Sequence, residues 1–215
     1  MQKRSMTCID HPRMIEKNLL ICGAFEGEVD IFLKNKIPAL VTGVGIASSV
    51  FTLQKYLFEN RKISEIIFCG SCGAYNPSGN ALGEIVFSNN FVYKEIAEFH
   101  GIVKVPDLVQ KKVETVSGEF SKSIILTLKS GVTNSTNSIT IEDLSDNVKE
   151  MLKEVAFENM ESYGLGIVAN KYSLPFTAFF SVTNYVGKNG SDDWKKNWRA
   201  FSDKLQNFIL NKLLL

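Results

Sequence analysis

Short apolar runs that alternate with stretches of helical spacing are the feature that most restricts the fold of this chain. Residues 19–24 (LLICGA) are apolar and are followed by 25–33 (FEGEVDIFL), whose apolar positions 25, 29, 32 and 33 recur at helical spacing. Residues 38–44 (PALVTGV) and 64–69 (SEIIFC) are further strand-like runs, and 47–58 between them places Val50, Leu53, Tyr56 and Leu57 on a helical stripe. Repetition of strand, helix and strand implies a parallel sheet covered on both faces. Later strands are predicted at 83–87 (GEIVF), 164–169 (GLGIVA) and 176–182 (FTAFFSV), with helices at 143–156 and about 194–213. Residues 101–139 are only loosely periodic and end in a Ser/Thr/Asn-rich stretch, where a binding loop is expected. The expectation is one α/β domain over 1–215, with 1–17 as an N-terminal extension.

Charge narrows the partners. Lys+Arg total 24 against 23 for Asp+Glu, scattered along the chain, so no net field favours nucleic acid or an acidic membrane surface. A small-molecule partner is expected. The first 20 residues carry charges throughout and lack the continuous apolar stretch of a signal peptide or membrane span, which places the chain in the cytoplasm. Four cysteines (Cys8, Cys22, Cys69, Cys72) are too few for a disulfide scaffold and are read as reduced thiols.

Three segments put small or charged residues at the carboxyl ends of predicted strands, where ligands sit in open α/β sheets. They are 22–29 (CGAFEGEV), 69–75 (CGSCGAY) and 181–187 (SVTNYVG). In the first, Glu26 and Glu28 fall in a first helical turn, which pairing with the helix dipole alone would explain. In the second, Gly70, Ser71 and Gly73 are expected to form a strand-to-loop turn whose backbone N–H groups are free for a ligand. Cys69 and Cys72 form a C-x-x-C, but no second such pair exists and His11 and His100 lie far off in sequence, so no metal and no redox role is expected. Gly43 and Gly45 lack the third glycine of a dinucleotide fingerprint, and no Gly-Lys-Ser/Thr occurs, so no nucleotide cofactor is expected. Around Glu161 two readings stay open: a solvated acid on a surface helix, or an acid buried among apolar residues to serve a partner's hydroxyls.

Taken together and in order, these segments resemble the nucleoside phosphorylase/nucleosidase family, which includes purine nucleoside phosphorylases, methylthioadenosine/S-adenosylhomocysteine nucleosidases and futalosine hydrolases. GAFEGEV is similar to the opening loop, VTGVGIASSV (41–50) to the segment leading into a helix, and residues 66–93 to the Gly-Ser-x-Gly loop with its following strand. NMES (159–162) is similar to the Met-Glu ribose motif, and LPFTAFFSVTNYVG (174–187) to the strand that ends at the base-binding acid or amide. The resemblance implies a three-layer α/β/α sandwich around a mixed, mostly parallel sheet of the phosphorylase/hydrolase type.

It also implies roles. Glu161 would hold the ribose hydroxyls, Met160 would pack under the sugar, and Glu28 would activate the attacking water. Ser71, Gly73, Asn159, Tyr93 and Phe180 fall at substrate-binding positions; Phe180 stands where nucleosidases usually carry an arginine, and Asn159 where adenosine-type members often carry a glutamate. None of the four arginines (Arg4, Arg13, Arg61, Arg199) lies in these motifs, which favours hydrolysis over phosphorolysis. Asn184 replaces the aspartate of adenine-cleaving members and resembles the futalosine hydrolases, whose base is hypoxanthine and whose pathway is menaquinone biosynthesis. A purine nucleoside phosphorylase, or a non-catalytic nucleoside-binding protein, are the alternatives. The family pairs as dimers or hexamers in which a neighbour lends an aromatic, so a homodimer is expected, with Phe91 or Tyr93 as that aromatic.

Overall fold

Apolar runs without polar alternation demand burial on both faces of a sheet, and three of them form the centre of this one. The computed structural model describes residues 18–76 and 79–214, so the expected extension at 1–17 lies outside the described residues. The strands are β1 (Leu19–Gly23), β2 (Ala39–Val41), β3 (Glu65–Ala74), β4 (Ile85–Ser88), β5 (Asn90–Val92), β6 (Lys112–Glu114), β7 (Lys129–Ser130), β8 (Val132–Asn134), β9 (Val155–Glu158) and β10 (Phe176–Tyr185). The helices are α1 (Asp30–Lys34), α2 (Ile46–Glu59), α3 (Ile96–Phe99), α4 (Glu119–Ile125), α5 (Asp146–Met151), α6 (Ser162–Lys171) and α7 (Gly190–Leu213), with a 3-10 turn at Glu26–Glu28.

All strands join one mixed sheet. Its centre is parallel: β2 pairs β1, β1 pairs β3 and β3 pairs β10. Along β10 the side chains alternate, so Phe176, Ala178, Phe180 and Val182 pack with Leu53, Leu57, Leu165 and Val168 of α2 and α6. Phe179 points the other way, toward Phe32, Ile124, Leu205 and Ile209 of α1, α4 and α7. The three-layer α/β/α sandwich expected from the sequence is therefore present.

Several elements differ from their expected form. Residues 164–169 are not a strand but the middle of α6, because this helix is buried almost all round and its apolar residues carry no face preference. Gly164 lets it approach α2, since a Cβ there would lie 2.8 Å from Val50 Cγ2. The helix expected over 143–156 is only α5, after which the chain extends into β9. Val29 (φ −136°, ψ 0°) divides the helix expected over 25–33 into the 3-10 turn and α1. The loop expected in 101–139 contains β6, α4, β7 and β8.

One irregularity of the sheet makes room for a site. On the edge of β3 away from β10, β1 leaves after pairing Cys22 with Phe68, and β9 joins only at Gly73 and Ala74. Residues 69–72 therefore have no strand partner on that edge among the described residues. Their backbone groups must find side chains instead.

Candidate active site

The unpaired edge of β3 borders a cavity of about 350 Å³ at the carboxyl ends of the central strands. Glu28, Ser71, Gly73, Asn159, Met160, Glu161 and Asn184 all line it. Residues 70–73, expected as a strand-to-loop turn, are instead paired strand, with Gly70 opposite Phe180 and Ser71 opposite Ser181. Only their outer edge is available for other contacts.

Glu28 fills part of that edge. Its Oε1 accepts from Ser71 N at 2.9 Å and Ser71 Oγ at 3.1 Å, and its Oε2 accepts from Ala24 N at 2.9 Å. Burial pushes its carboxyl up to about 8, and the nearby charge of Glu161 adds to the rise. Ser71 is held in turn by Trp194, whose Nε1 donates to Ser71 Oγ at 3.1 Å.

Glu161 proves to be buried at 4% exposure, so it is not the solvated acid on a surface helix that was one of its two readings. The Thr42 to Gly45 turn, with φ of +87° at Gly43 and +86° at Gly45, brings Gly45 N within 2.9 Å of Glu161 Oε1. Asn159 Nδ2 donates to Glu161 Oε2 at 2.8 Å and to Ser71 O at 3.2 Å. Asn159 Oδ1 accepts from the Glu161 and Ser162 N–H groups, closing the first turn of α6. Burial raises the Glu161 carboxyl to about 7.

Asn184 is the penultimate residue of β10, with its Oδ1 2.9 Å from Thr183 Oγ1, so its amide orientation is set by a neighbour. Its Nδ2 lies over Gly73, 3.0 Å from where a Cβ would stand. A side chain at 73 would fill the space beside the amide.

Other expected residues lie elsewhere. Phe180 does not line the cavity; it is fully buried and its ring meets Phe68 edge-on at 6.1 Å, because its place in β10 turns it toward α2 and α6. Tyr93 lines a separate hollow with Tyr163 and Glu95, and its hydroxyl donates to Glu95 Oε1 at 2.6 Å. Phe91 is fully buried against Phe176 and is unavailable to a second subunit. Cys69 and Cys72 are free buried thiols that join different core clusters on opposite faces of β3, a spacing no disulfide or shared metal could bridge. Burial drives both thiols up. No group of three or more His, Cys, Asp or Glu that could hold a metal occurs among the described residues.

The site also contains residues that the sequence did not single out. Glu158, Thr183, Phe25 and Ser138 line the cavity. Alternation in β9 (VAFE) marks Glu158 as lying on one face with Ala156, but the helix expected over 143–156 takes in the first two of its four residues and hides that pattern. Phe25 and Trp194 form an aromatic wall backed by Trp198, with Trp194 and Trp198 stacked at 5.8 Å and Phe25 edge-on to Trp198 at 5.2 Å. Lys195 is the sole cation among the described lining residues, and its Nζ donates to Asp192 Oδ1 at 3.2 Å. The arrangement suits a polyhydroxylated ligand carrying a flat ring: acids for hydroxyls, an amide and apolar walls for the ring.

Comparison with known proteins agrees with this fold. The sequence model described as the phosphorylase superfamily matches residues 25–214. Among solved structures, the chain is similar to the 5′-methylthioadenosine/S-adenosylhomocysteine nucleosidase of Helicobacter pylori bound to butyl-thio-DADMe-Immucillin-A, with a TM-score of 0.73, 14% identity, and 91% of this chain and 97% of that one covered. It is similar to the Helicobacter pylori futalosine hydrolase with a TM-score of 0.72, 13% identity, and 91% and 96% covered. The Streptococcus pneumoniae MTA/SAH nucleosidase in complex with 8-aminoadenine gives a TM-score of 0.74 at 16% identity, with 92% and 98% covered. No curated protein matches the chain by sequence.

Proposed function

This chain is an enzyme of the phosphorylase superfamily, and on that premise we propose that it is an N-ribosyl hydrolase that releases a 6-oxopurine, hypoxanthine from futalosine or a related nucleoside. The observation that carries this reading is Glu28, a carboxyl fixed by Ala24 and Ser71 in the same cavity as Glu161.

Glu161 accepts hydrogen bonds from the ribose hydroxyls, and Met160 packs against the sugar. As the bond from ribose C1′ to the purine nitrogen lengthens, positive charge grows on the ribosyl ring and the two carboxylates stabilise it. Glu28 in its ionised form takes a proton from the attacking water, whose oxygen bonds to C1′. The electron pair of the broken bond leaves with the base. Asn184, an amide, cannot protonate that base, but its Nδ2–H stabilises the charge developing at N7 or O6, and solvent supplies the proton afterwards.

The scarcity of lining cations supports water over phosphate as the acceptor. Incubation with inosine and with futalosine in phosphate-free buffer tests this. Free hypoxanthine and a reducing sugar are expected; release that requires phosphate and yields ribose 1-phosphate would make the chain a phosphorylase. Thermal stabilisation by a nucleoside without release of any base would make it a binding protein.

We place it in the cytoplasm as a homodimer; among the described residues no helix is long and apolar enough to cross a membrane. Phe51 (71% exposed) and Phe58 (66%) lie seven residues apart on one face of α2, and Val44 (56%) and Ile139 (58%) rim the cavity, an apolar surface that a second copy would cover. Light scattering on the purified chain checks the oligomeric state.

A further inference from the structure

Three acids line the cavity among the described residues, and Glu158 has no part in the chemistry above. It ends β9 opposite Gly73, while Asn184 of β10 stands opposite the same glycine from the other side. Residues directly opposite in neighbouring strands project to the same face. Gly73 has no side chain, and the Asn184 Nδ2 and Val186 Cγ2 each stand 3.0 Å from where its Cβ would be, so the three positions form a floor in which the amide reaches over the glycine from one side while Glu158 flanks it on the other, their backbones about 9–10 Å apart, two strand spacings.

Glu158 is built into place. Tyr75 Oη donates to its Oε2 at 2.6 Å, and Asn134 Nδ2 lies 3.2 Å from that same hydroxyl. Asn134 is pinned by the backbone of Lys94, through Lys94 N at 2.8 Å and Lys94 O at 2.9 Å. The phenol has one proton and it goes to Oε2. Among the described residues no hydrogen bond reaches Oε1, which is left as an acceptor on a cavity-lining carboxylate. Burial raises this carboxyl to about 7, as expected for an acid lacking sufficient partners. At the other end of the floor, Thr183 occupies Asn184 Oδ1 and Tyr185 O accepts one Nδ2 proton at 3.3 Å, leaving the second Nδ2 proton as a donor.

The floor thus presents one donor and, across the glycine, one acceptor. A 6-oxopurine has the complementary edge: the acceptors N7 and O6, then the donor N1–H. Adenine with N7 at the amide would turn the lone pair of N1 toward the carboxylate. Resting on the reading of this cavity as a nucleoside site, we propose that Glu158 is the specificity-determining residue, its Oε1 accepting the N1–H of a 6-oxopurine whose N7 and O6 face Asn184. If Glu158 served only to anchor Tyr75, ligand preference would not depend on it.

The test is calorimetric titration of the full chain with hypoxanthine, 1-methylhypoxanthine and adenine, in wild type, Glu158→Ala and Glu158→Gln. Wild type should bind hypoxanthine about tenfold more tightly than either of the other two, the factor for one hydrogen bond to a charged group. Glu158→Ala should reduce the ratio of hypoxanthine to 1-methylhypoxanthine to about threefold or less, since the N1 substituent then faces no acceptor. Glu158→Gln, nearly isosteric, keeps its carbonyl on Tyr75 and turns its NH₂ to the base, so preference should swing toward adenine. Equal binding of the first two bases by wild type, tighter adenine binding by wild type, ratios unchanged in both variants, or no binding of any base would each overturn the proposal. Turnover does not enter these readouts, so loss of the hydrolase reading and loss of this one are told apart.

Discussion

Glu65 and Glu28 are equally buried, at 3% exposure each, and each accepts three hydrogen bonds, yet only one of them faces open space. Glu65 turns under the first turn of α4, where its Oε2 accepts from Phe120 N at 3.0 Å and its Oε1 from Ser121 N at 2.9 Å and Ser121 Oγ at 2.6 Å. Gly118 makes this approach possible, because a Cβ there would lie 2.2 Å from the Glu65 carboxyl carbon. Glu65 thereby satisfies α4's unpaired N–H groups, and it does not line the cavity. Glu28 shares a cavity with a second carboxyl, and the repulsion between them helps keep its proton on. Neither burial nor hydrogen-bond count separates the two acids; an open cavity and a like-charged neighbour do, and they are what single out Glu28 as the proposed base.

Substitutions should pull these two acids apart. Glu28→Gln is expected to lower kcat by about 10³-fold, the contribution of a positioned general base, with the chain still folded by circular dichroism. Asn184→Ala, which removes the donor at the leaving base, should lower kcat by about 10²-fold and leave the melting temperature almost unchanged. Glu65→Ala should behave in the opposite manner: about 2–3 kcal/mol of stability lost in urea titration, through donors left unpaired beneath α4, with activity per folded molecule retained. A comparable loss of kcat in Glu65→Ala would erase the distinction.

Trp194 provides a finer test. It acts on Glu28 only through Ser71, as a positioning residue, so Trp194→Phe should lower kcat about fivefold, the size of one neutral hydrogen bond. Without the indole N–H, the Ser71 hydroxyl is held less firmly on Glu28, and the acidic limb of the kcat/KM profile should move to higher pH. A loss of kcat with an unmoved limb would make Trp194 merely a wall.

The smallest effect expected is in stability against pH. Glu28 at about 8 and Glu161 and Glu158 at about 7 all lie above their ordinary value of 4.5, so the folded chain holds protons that the unfolded chain releases. Their stabilising contribution is complete below about 4.5 and is lost as pH rises through 7 to 8. Activity, which needs ionised Glu28, should rise over the same interval. The melting temperature of Glu28→Gln should exceed that of wild type by about 2–4 °C at pH 8.5 and match it near pH 4.5. An equal decline in both proteins would show that Glu28 carries no trapped proton.

Much of this was legible in the chain. Continuous apolar runs such as IIFC and FTAFFSV betray strands buried on both faces, and the alternation with helical stripes implies the parallel centre. Glu28, Ser71, Gly73, Met160, Glu161 and Asn184, which the motifs marked together, lie around one cavity. Local pattern failed where an element is apolar on every side, as in α6, and at Phe180, where the register of β10 turns the residue into the core. It also left Glu161 open between water and burial, because a side chain's exposure depends on what packs over it. The divergence of β1 and β9 along β3, the Asn159 contacts that tie α6 to that edge, and the floor that Glu158 and Asn184 share with Gly73 all join segments 46 or more positions apart in sequence. Periodicity is a property of neighbours along the chain and reports which face is buried; the meeting of three acids in one cavity, one from a 3-10 turn, one from a strand end and one from a helix cap, is a property of distant elements, and only the folded sheet brings them together.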